Sequence, residues 1–246
     1  MDQEPGARKQ SAKLYSAAIL GVALILAAAI VALTFYRVKT LDSSLSVTGS
    51  AKQQVTSDQV KWVGQFTRTA PELDLRAGYA ALKRDEAVVR EFLKSKGVAD
   101  TSVELSTVFV DAPFKYNQGV PRQYELRQNV EVKSDNVAKV TEIAKNLQPL
   151  VDKEVYFSTQ SLEYYYSKLP ELRVSLLSDA VKDARDRAER IASSTSQKIG
   201  PISSAAMGVV QVLPLNSVEV ADYGAYDTSS IEKEVMVTVK ASFRLR

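Results

Sequence analysis

The chain has 246 residues, with 45% hydrophobic and 25% charged side chains and a formal net charge of +3, the balance of a globular protein rather than a disordered one. It contains neither cysteine nor histidine, which excludes disulfides, thiolate nucleophiles and Cys-ligated zinc and removes the commonest general base and transition-metal ligand. Five basic and three acidic residues lie within 1–43, leaving 27 basic against 26 acidic from totals of 32 and 29, so the remainder lacks the basic surplus of a nucleic-acid binder.

Residues 14–36, "LYSAAILGVALILAAAIVALTFY", hold no charge. As a helix, about 23 residues rising about 1.5 Å each reach roughly 34 Å, enough for a hydrocarbon core of about 30 Å. Tyr15 and Tyr36 fall near the expected interfaces and basic residues flank both ends, as in membrane-spanning helices. A cleaved signal peptide is the alternative, with Ala27-Ala28-Ala29 as its cleavage site. The apolar run continues beyond those alanines through Ile30, Val31, Leu33 and Phe35, and the reading adopted is an uncleaved anchor. Three basic residues precede the span and two follow it, a weak positive-inside bias. It predicts a cytoplasmic tail over 1–13, an inner-membrane anchor over 14–36 and a tether over 37–44, with the bulk extracytoplasmic.

Beyond the tether, "SLSVTGSA" predicts a brief strand ending in a Gly-Ser turn. "QVTSDQVKWVGQFTRT" predicts a second, with Gly64 marking a bulge or a close backbone approach. Pro71-Glu72 opens a helix with Leu75, Tyr79, Leu82, Val89 and Leu93 at helical spacing, charges including Asp85 toward water, and Gly97 as its stop. "SVELSTVFVDAP" and "RQYELRQNVEVKS" predict two strands, followed by a short helix capped by Asp135 and ended by Pro149. "EVYFSTQSLEYYYS" is extended. A long helix from Lys168 to about Lys198 carries an apolar stripe of Leu177, Val181, Ala184, Ala188 and Ile191, with opposite charges four apart on its other face. Gly200-Pro201 ends it. "ISSAAMGVVQVLP" and "EKEVMVTVKASFRLR" are the last strands, around an unpatterned stretch over 214–230. The pattern predicts an α+β fold of antiparallel sheets with helices on one face, divided into subdomains over 45–133 and 134–246.

Four stretches in this order resemble the SIMPL domain family of bacterial envelope proteins: "LSVTGSA" at 45–51, "YELRQNVEVKSDNVAKVTEIAKNL" at 124–147, "LLSDAVKDARDRAERIASSTSQKIGPI" at 176–202 and "EVMVTVKASFRL" at 234–245. The family often has a second glycine after the first turn and a Pro-Asp pair beyond it, where this chain reads Ser50-Ala51 and Ser57-Asp58. The resemblance implies an extracytoplasmic location, a two-part α+β fold, assembly into a ring or barrel-like oligomer and a link to envelope or oxidative-stress defence. It implies no reaction and brings no catalytic residues.

Few residues suggest a site. Ala180, Ala184, Ala188 and Ala192 lie four apart; they predict close helix-on-sheet packing within a subunit or, as the sharper alternative, a seam between subunits. Tyr164, Tyr165 and Tyr166 alternate in direction along a strand and cannot form one cage; a sheet rim or subunit contact is the reading preferred over ligand stacking. Asp222, Tyr223, Tyr226 and Asp227 share the unpatterned stretch, which reads as a solvated loop or subunit contact, because the oxygen set a hard cation needs is missing. No Walker loop, dinucleotide fingerprint or zinc motif occurs, and no cofactor is expected. The sequence thus points to a non-enzymatic, membrane-anchored, self-assembling envelope protein; the alternative is a binding module for a partner protein or small envelope ligand, recognisable by a deep apolar pocket.

Overall fold

A computed structural model describes residues 5–41, 44–111, 123–217 and 223–246. The elements in chain order are α1 (Pro5–Leu41), β1 (Ser44–Thr56), β2 (Gln59–Pro71), α2 (Leu75–Ser95), β3 (Val103–Leu105), β4 (Phe109–Asp111), β5 (Gln123–Ser134), α3 (Val137–Lys145), α4 (Gln148–Val151), β6 (Tyr156–Tyr165), α5 (Leu169–Ser194), β7 (Ile199–Met207), β8 (Gln211–Pro214) and β9 (Glu232–Leu245). The fold is α+β with two antiparallel sheets. The chain forms two compact units, one of residues 50–180 and 208–238, the other of 1–49, 181–207 and 239–246.

In the first unit a five-stranded sheet runs β3-β5-β2-β6, with β4 also on β5. β2 and β5 pair without interruption from Val60↔Ser134 to Pro71↔Gln123. Alternation sends Val60, Trp62, Phe66 and Ala70 of β2 and Leu126, Val130 and Val132 of β5 to one face, where they are buried with Leu82, Val89 and Leu93 of α2 and Val140 and Ile143 of α3. Gly78 lets α2 approach closely: a Cβ there would stand 2.5 Å from Ala70 Cβ and 3.0 Å from Leu126 Cδ1. Gly64 marks a register shift between β2 and β6, and the Phe157 ring occupies the space its Cβ would take; a side chain makes the close approach, not another backbone.

A second core in the same unit joins Val55 of β1, Leu172 and Leu176 of α5, Val212 of β8, and Val235 and Val237 of β9. In the four-stranded sheet β1 and β7 flank β9, and β8 also pairs with β9. In the second unit β7 pairs antiparallel with β9 from Ile199↔Leu245 to Met207↔Val239, with register shifts before Ser204. Helix α1 also belongs to this unit; its segment Ala18–Arg37 is long and apolar enough to cross a membrane, and none of it is buried by the rest of the chain.

Several expectations are corrected. β1 continues through Gly49-Ser50 without a turn; the chain turns instead at Ser57-Asp58, between β1 and β2. Asn136, rather than Asp135, caps α3 by accepting from Lys139 N at 3.1 Å. Pro149 lies inside α4, a first-turn position where its missing N–H costs nothing. α5 ends at Ser194, and Gly200-Pro201 is already in β7. The buried line of α5 is Leu172, Leu176, Ala180, Ala184, Ala188 and Ala192, whereas Ile191 is 47% exposed. Of the charge pairs expected on that helix, Asp183–Arg187 closes at 2.8 Å and Arg185–Glu189 at 3.1 Å.

The stretch over 103–111 is two short strands. Ser106 leaves the ladder to bond Asn129 through its backbone and hydroxyl, while its carbonyl accepts from the buried Gln128 amide at 2.9 Å. A boundary between residues 133 and 134 does not follow the sheets: β6 and α3, beyond it, share a core with β2 and β5.

Candidate functional site

Two polar loci stand out, both in the first unit. The first is an open groove of about 610 Å3 lined by Gln59, Lys61, Ser102, Lys133, Asp135, Asn136 and Tyr165, among others. Antiparallel pairing builds it, because Gln59↔Tyr165 and Val60↔Ser134 bring one end of β2, β5 and β6 together. Lys61 Nζ lies 3.8 Å from Glu131 and 3.7 Å from Glu163. Lys133 reaches Glu131 at 2.5 Å, and Gln59 donates to Asp135 at 3.4 Å. Ammonium and carboxylate groups therefore neutralise one another across the sheet face.

Tyr165 donates its hydroxyl proton to Glu163, and its ring stands 6.1 Å from that of Tyr226. The hydrogen bond to the Glu163 carboxylate, with burial and the nearby negative charge, pushes the Tyr165 phenol up to about 12; the same bond holds Glu163 below the usual carboxylate range. Because the folded value lies above the unfolded value near 10, the contribution is complete below about pH 10 and is lost as pH rises through about 12. In an ultraviolet titration of the phenols Tyr165 is expected to contribute a late phase that Tyr165→Phe removes. If the phase persists in Tyr165→Phe, another phenol carries it.

The second locus is the turn before β9. Asp227 Oδ1 accepts from Ser229 N at 2.9 Å and Ser229 Oγ at 2.6 Å, and Oδ2 accepts from Ser230 N at 3.2 Å and from Ser230 Oγ. Lys233 Nζ donates to Asp227 O at 2.6 Å and approaches Oδ2 at 3.2 Å. The Lys233 side chain is fully enclosed. Burial lowers its pKa, opposed by the bonds to Asp227. Burial also pushes the Asp227 carboxyl upward, but bonds from Ser229, Ser230 and Lys233 outweigh it and hold the group far below the usual carboxylate range. The turn is fastened to β8 by Asp227 N to Val212 O and Val212 N to Ala225 O, each 2.8 Å.

A third charge pair borders a smaller groove. Arg68 of β2 grips Asp85 of α2 at 2.5 and 2.8 Å and donates to Glu154 O at 2.7 Å. Asp85, expected to face water, is buried because it lies three residues beyond Leu82 and four before Val89, on the core-facing stripe.

Tyr164 and Tyr165 end β6 and point to opposite faces, and Tyr166 lies just beyond the strand. Tyr164 enters the first core, its hydroxyl 3.1 Å from Thr141 Oγ1; Tyr165 faces the groove; Tyr166 packs against the second core. Tyr223 is 98% exposed, while Tyr226 bridges to Val212. Asp222 lies outside the described residues. Ala180, Ala184, Ala188 and Ala192 are buried within the chain, which leaves their methyls no surface for a second subunit. Of the groove residues the sequence singles out Tyr165 alone; it does not mark Lys61, Lys133, Lys233 or Asp85 as site residues, although Lys233 stands in phase with Val235 and Val237 on the buried face of β9.

No group of three or more acidic side chains placed to hold a metal occurs among the described residues. Glu131, Glu163 and Asp227 each have a protein cation or hydroxyl as partner, and Asp135 accepts from the Gln59 amide. The chemistry these two loci display is charge pairing and hydrogen bonding.

These strands and helices occur in one continuous match: the family model described as "SIMPL: Protein of unknown function (DUF541)" covers residues 45–243. The chain belongs to the SIMPL family. No curated protein matches it. The SIMPL match runs from within β1 to within β9 and takes in both polar loci. Helix α1 precedes the matched segment, on the N-terminal side of the SIMPL domain.

Proposed function

We propose that the protein is a non-enzymatic SIMPL-domain envelope protein, held in the cytoplasmic membrane by an uncleaved α1, with its SIMPL domain outside the cytoplasm and assembled with further copies of itself. The observation that carries the reading is the bare apolar length of α1: Ala18–Arg37 finds no cover within the chain, and a hydrocarbon core supplies it. The basic residues before the span support the orientation. Mutual pairing of Lys61, Lys133, Glu131 and Glu163, and of Lys233 and Asp227, supports an architectural role. The groove is open and lined mainly by polar side chains, which favours this reading over ligand capture. Tethering raises the effective concentration of neighbouring copies. Resemblance to envelope stress-defence proteins supports that setting as the physiological one.

The test joins carbonate extraction, protease digestion of intact cells and light scattering of detergent-solubilised full chain. The expected result is a carbonate-resistant protein, digested from outside, that scatters as a multimer. Mature protein beginning near Ile30 would remove the anchor, and a strict monomer at micromolar concentration would remove self-assembly.

A further inference from the structure

The basic side chains of both polar loci are answered by acidic ones: Lys61 and Lys133 by Glu131, and Lys233 by Asp227. One surface of the second unit departs from this. Its stretches 44–49, 195–207 and 239–246 contain Lys198, Lys240, Arg244 and Arg246 and no acidic side chain. All four basic residues are exposed, and among the described residues no carboxylate side chain holds any of them. The α5 part of the unit, 181–194, does not offset them, with four basic and three acidic side chains of its own.

Antiparallel pairing gathers three of the four at one end of the sheet. Val239, Ala241 and Phe243 are buried, so alternation along β9 turns Lys240, Ser242 and Arg244 to the open face. Ser46 Oγ meets Ser242 Oγ at 3.3 Å, which in an antiparallel pair sets Ser44, the first residue of β1, beside Arg244. Lys198 and Arg246 exchange backbone hydrogen bonds of 2.9 and 2.8 Å. The backbones of Arg244, Arg246 and Lys198 therefore follow one another at roughly 5–7 Å.

The same end of the sheet is where the chain arrives from α1. The helix runs on from Arg37, the end of its apolar span, to Leu41, a rise of about 6 Å. Ser44 follows three residues later, at most roughly 11 Å further. A headgroup layer of roughly 5–8 Å per leaflet and a screening length of about 8 Å span nearly the whole of that distance. We propose that this end of the sheet docks, through Lys198, Arg244 and Arg246, on the anionic phospholipid headgroups of the bilayer that α1 crosses. Basic groups beside a spanning helix are drawn to anionic lipid, and guanidinium and ammonium groups donate charge-assisted hydrogen bonds to phosphate oxygens. The domain is then held at two places, by the helix and by the sheet end. This inference rests on α1 as a retained anchor; it does not depend on orientation or on self-assembly.

Lipid selectivity tests it. The full chain is reconstituted into phosphatidylcholine vesicles and its flotation with them is checked. Spin-labelled phosphatidylglycerol and phosphatidylcholine then report, by electron paramagnetic resonance, how strongly the protein holds each. The sheet variant joins Lys198→Gln, Arg244→Gln and Arg246→Gln. A control variant removes the same charge at exposed positions elsewhere, Arg76→Gln, Arg84→Gln and Lys145→Gln. Unchanged melting curves verify folding; should a triple variant unfold, its single substitutions take its place. The unaltered chain and the control are expected to hold phosphatidylglycerol at least threefold more strongly than phosphatidylcholine. The sheet variant is expected to lose at least half of that preference, as is the unaltered chain in 1 M salt, where screening shortens to about 3 Å. A preference that survives in the sheet variant belongs to the basic residues at the end of α1 and overturns the docking. No preference in the unaltered chain, or an equal fall in the control, overturns it as well. A chain that does not float with the vesicles overturns the anchor, and the docking falls with it.

Discussion

Replacing Asp227 with alanine is expected to destabilise the SIMPL domain by about 3–5 kcal/mol, the range for removing one partner of a buried ion pair. Lys233 is fully enclosed and Asp227 is 11% exposed, so water cannot replace the lost carboxylate at Nζ. The lysine keeps only the Asp227 carbonyl, and Ser229 and Ser230 lose their shared acceptor. For a domain of this size the melting temperature should fall by roughly 6–20 °C. Asp227→Ala combined with Lys233→Met should recover most of the loss, because the stranded charge leaves with its partner. A double variant as unstable as Asp227→Ala would mean that the serine bonds, not the lysine, dominate. The pH dependence has a definite sign. The folded Asp227 carboxyl lies below its unfolded value near 3.9, so its stabilisation is complete above that value and is lost as pH falls toward the folded one. Asp58, Glu86 and Glu163 are shifted in the same direction. Denaturation measured down the pH scale should therefore steepen below about pH 4, and less steeply for Asp227→Asn.

The segments legible in the sequence were those whose residue type and phase agree. The uncharged run of α1 and the alternation of Val235, Val237, Val239, Ala241 and Phe243 in β9, all buried, needed no tertiary information. Polar residues on buried faces were misread or missed because identity was weighed over phase. Asp85 follows Leu82 by three, and Lys233 precedes Val235 by two; each position faces a core. The α5 stripe shifted for the converse reason. Leu177 and Ile191 are more hydrophobic than alanine, yet the buried line passes through Ala180 and Ala192. The breaks at Ser106 and Gly208 depend on partners distant in sequence, Asn129 and Gln128 for one and Thr238 O for the other, so local pattern carries no sign of them. Gly49 shows the limit of glycine as punctuation: β1 runs straight through it.

Leu26→Arg together with Ile30→Arg is expected to move the protein out of the membrane fraction. Both side chains are exposed in the chain, at 58% and 63%, so the substitutions remove no internal packing and act only through the surroundings of α1. An arginine near the centre of a spanning helix costs about 2.5–3.5 kcal/mol on insertion scales, or about 5–7 kcal/mol for two. At 1.4 kcal/mol per factor of ten, that is more than a thousandfold shift in partition. Membrane pelleting, carbonate extraction and outside protease digestion should all show the loss, while the melting transition of the SIMPL domain is unchanged. Unaltered pelleting would mean that another segment holds the protein at the bilayer. Because an anchor and a cleaved signal both fail to insert when charged, the N-terminal sequence of the unaltered mature protein separates them: residues of α1 are retained in an anchor and absent after cleavage.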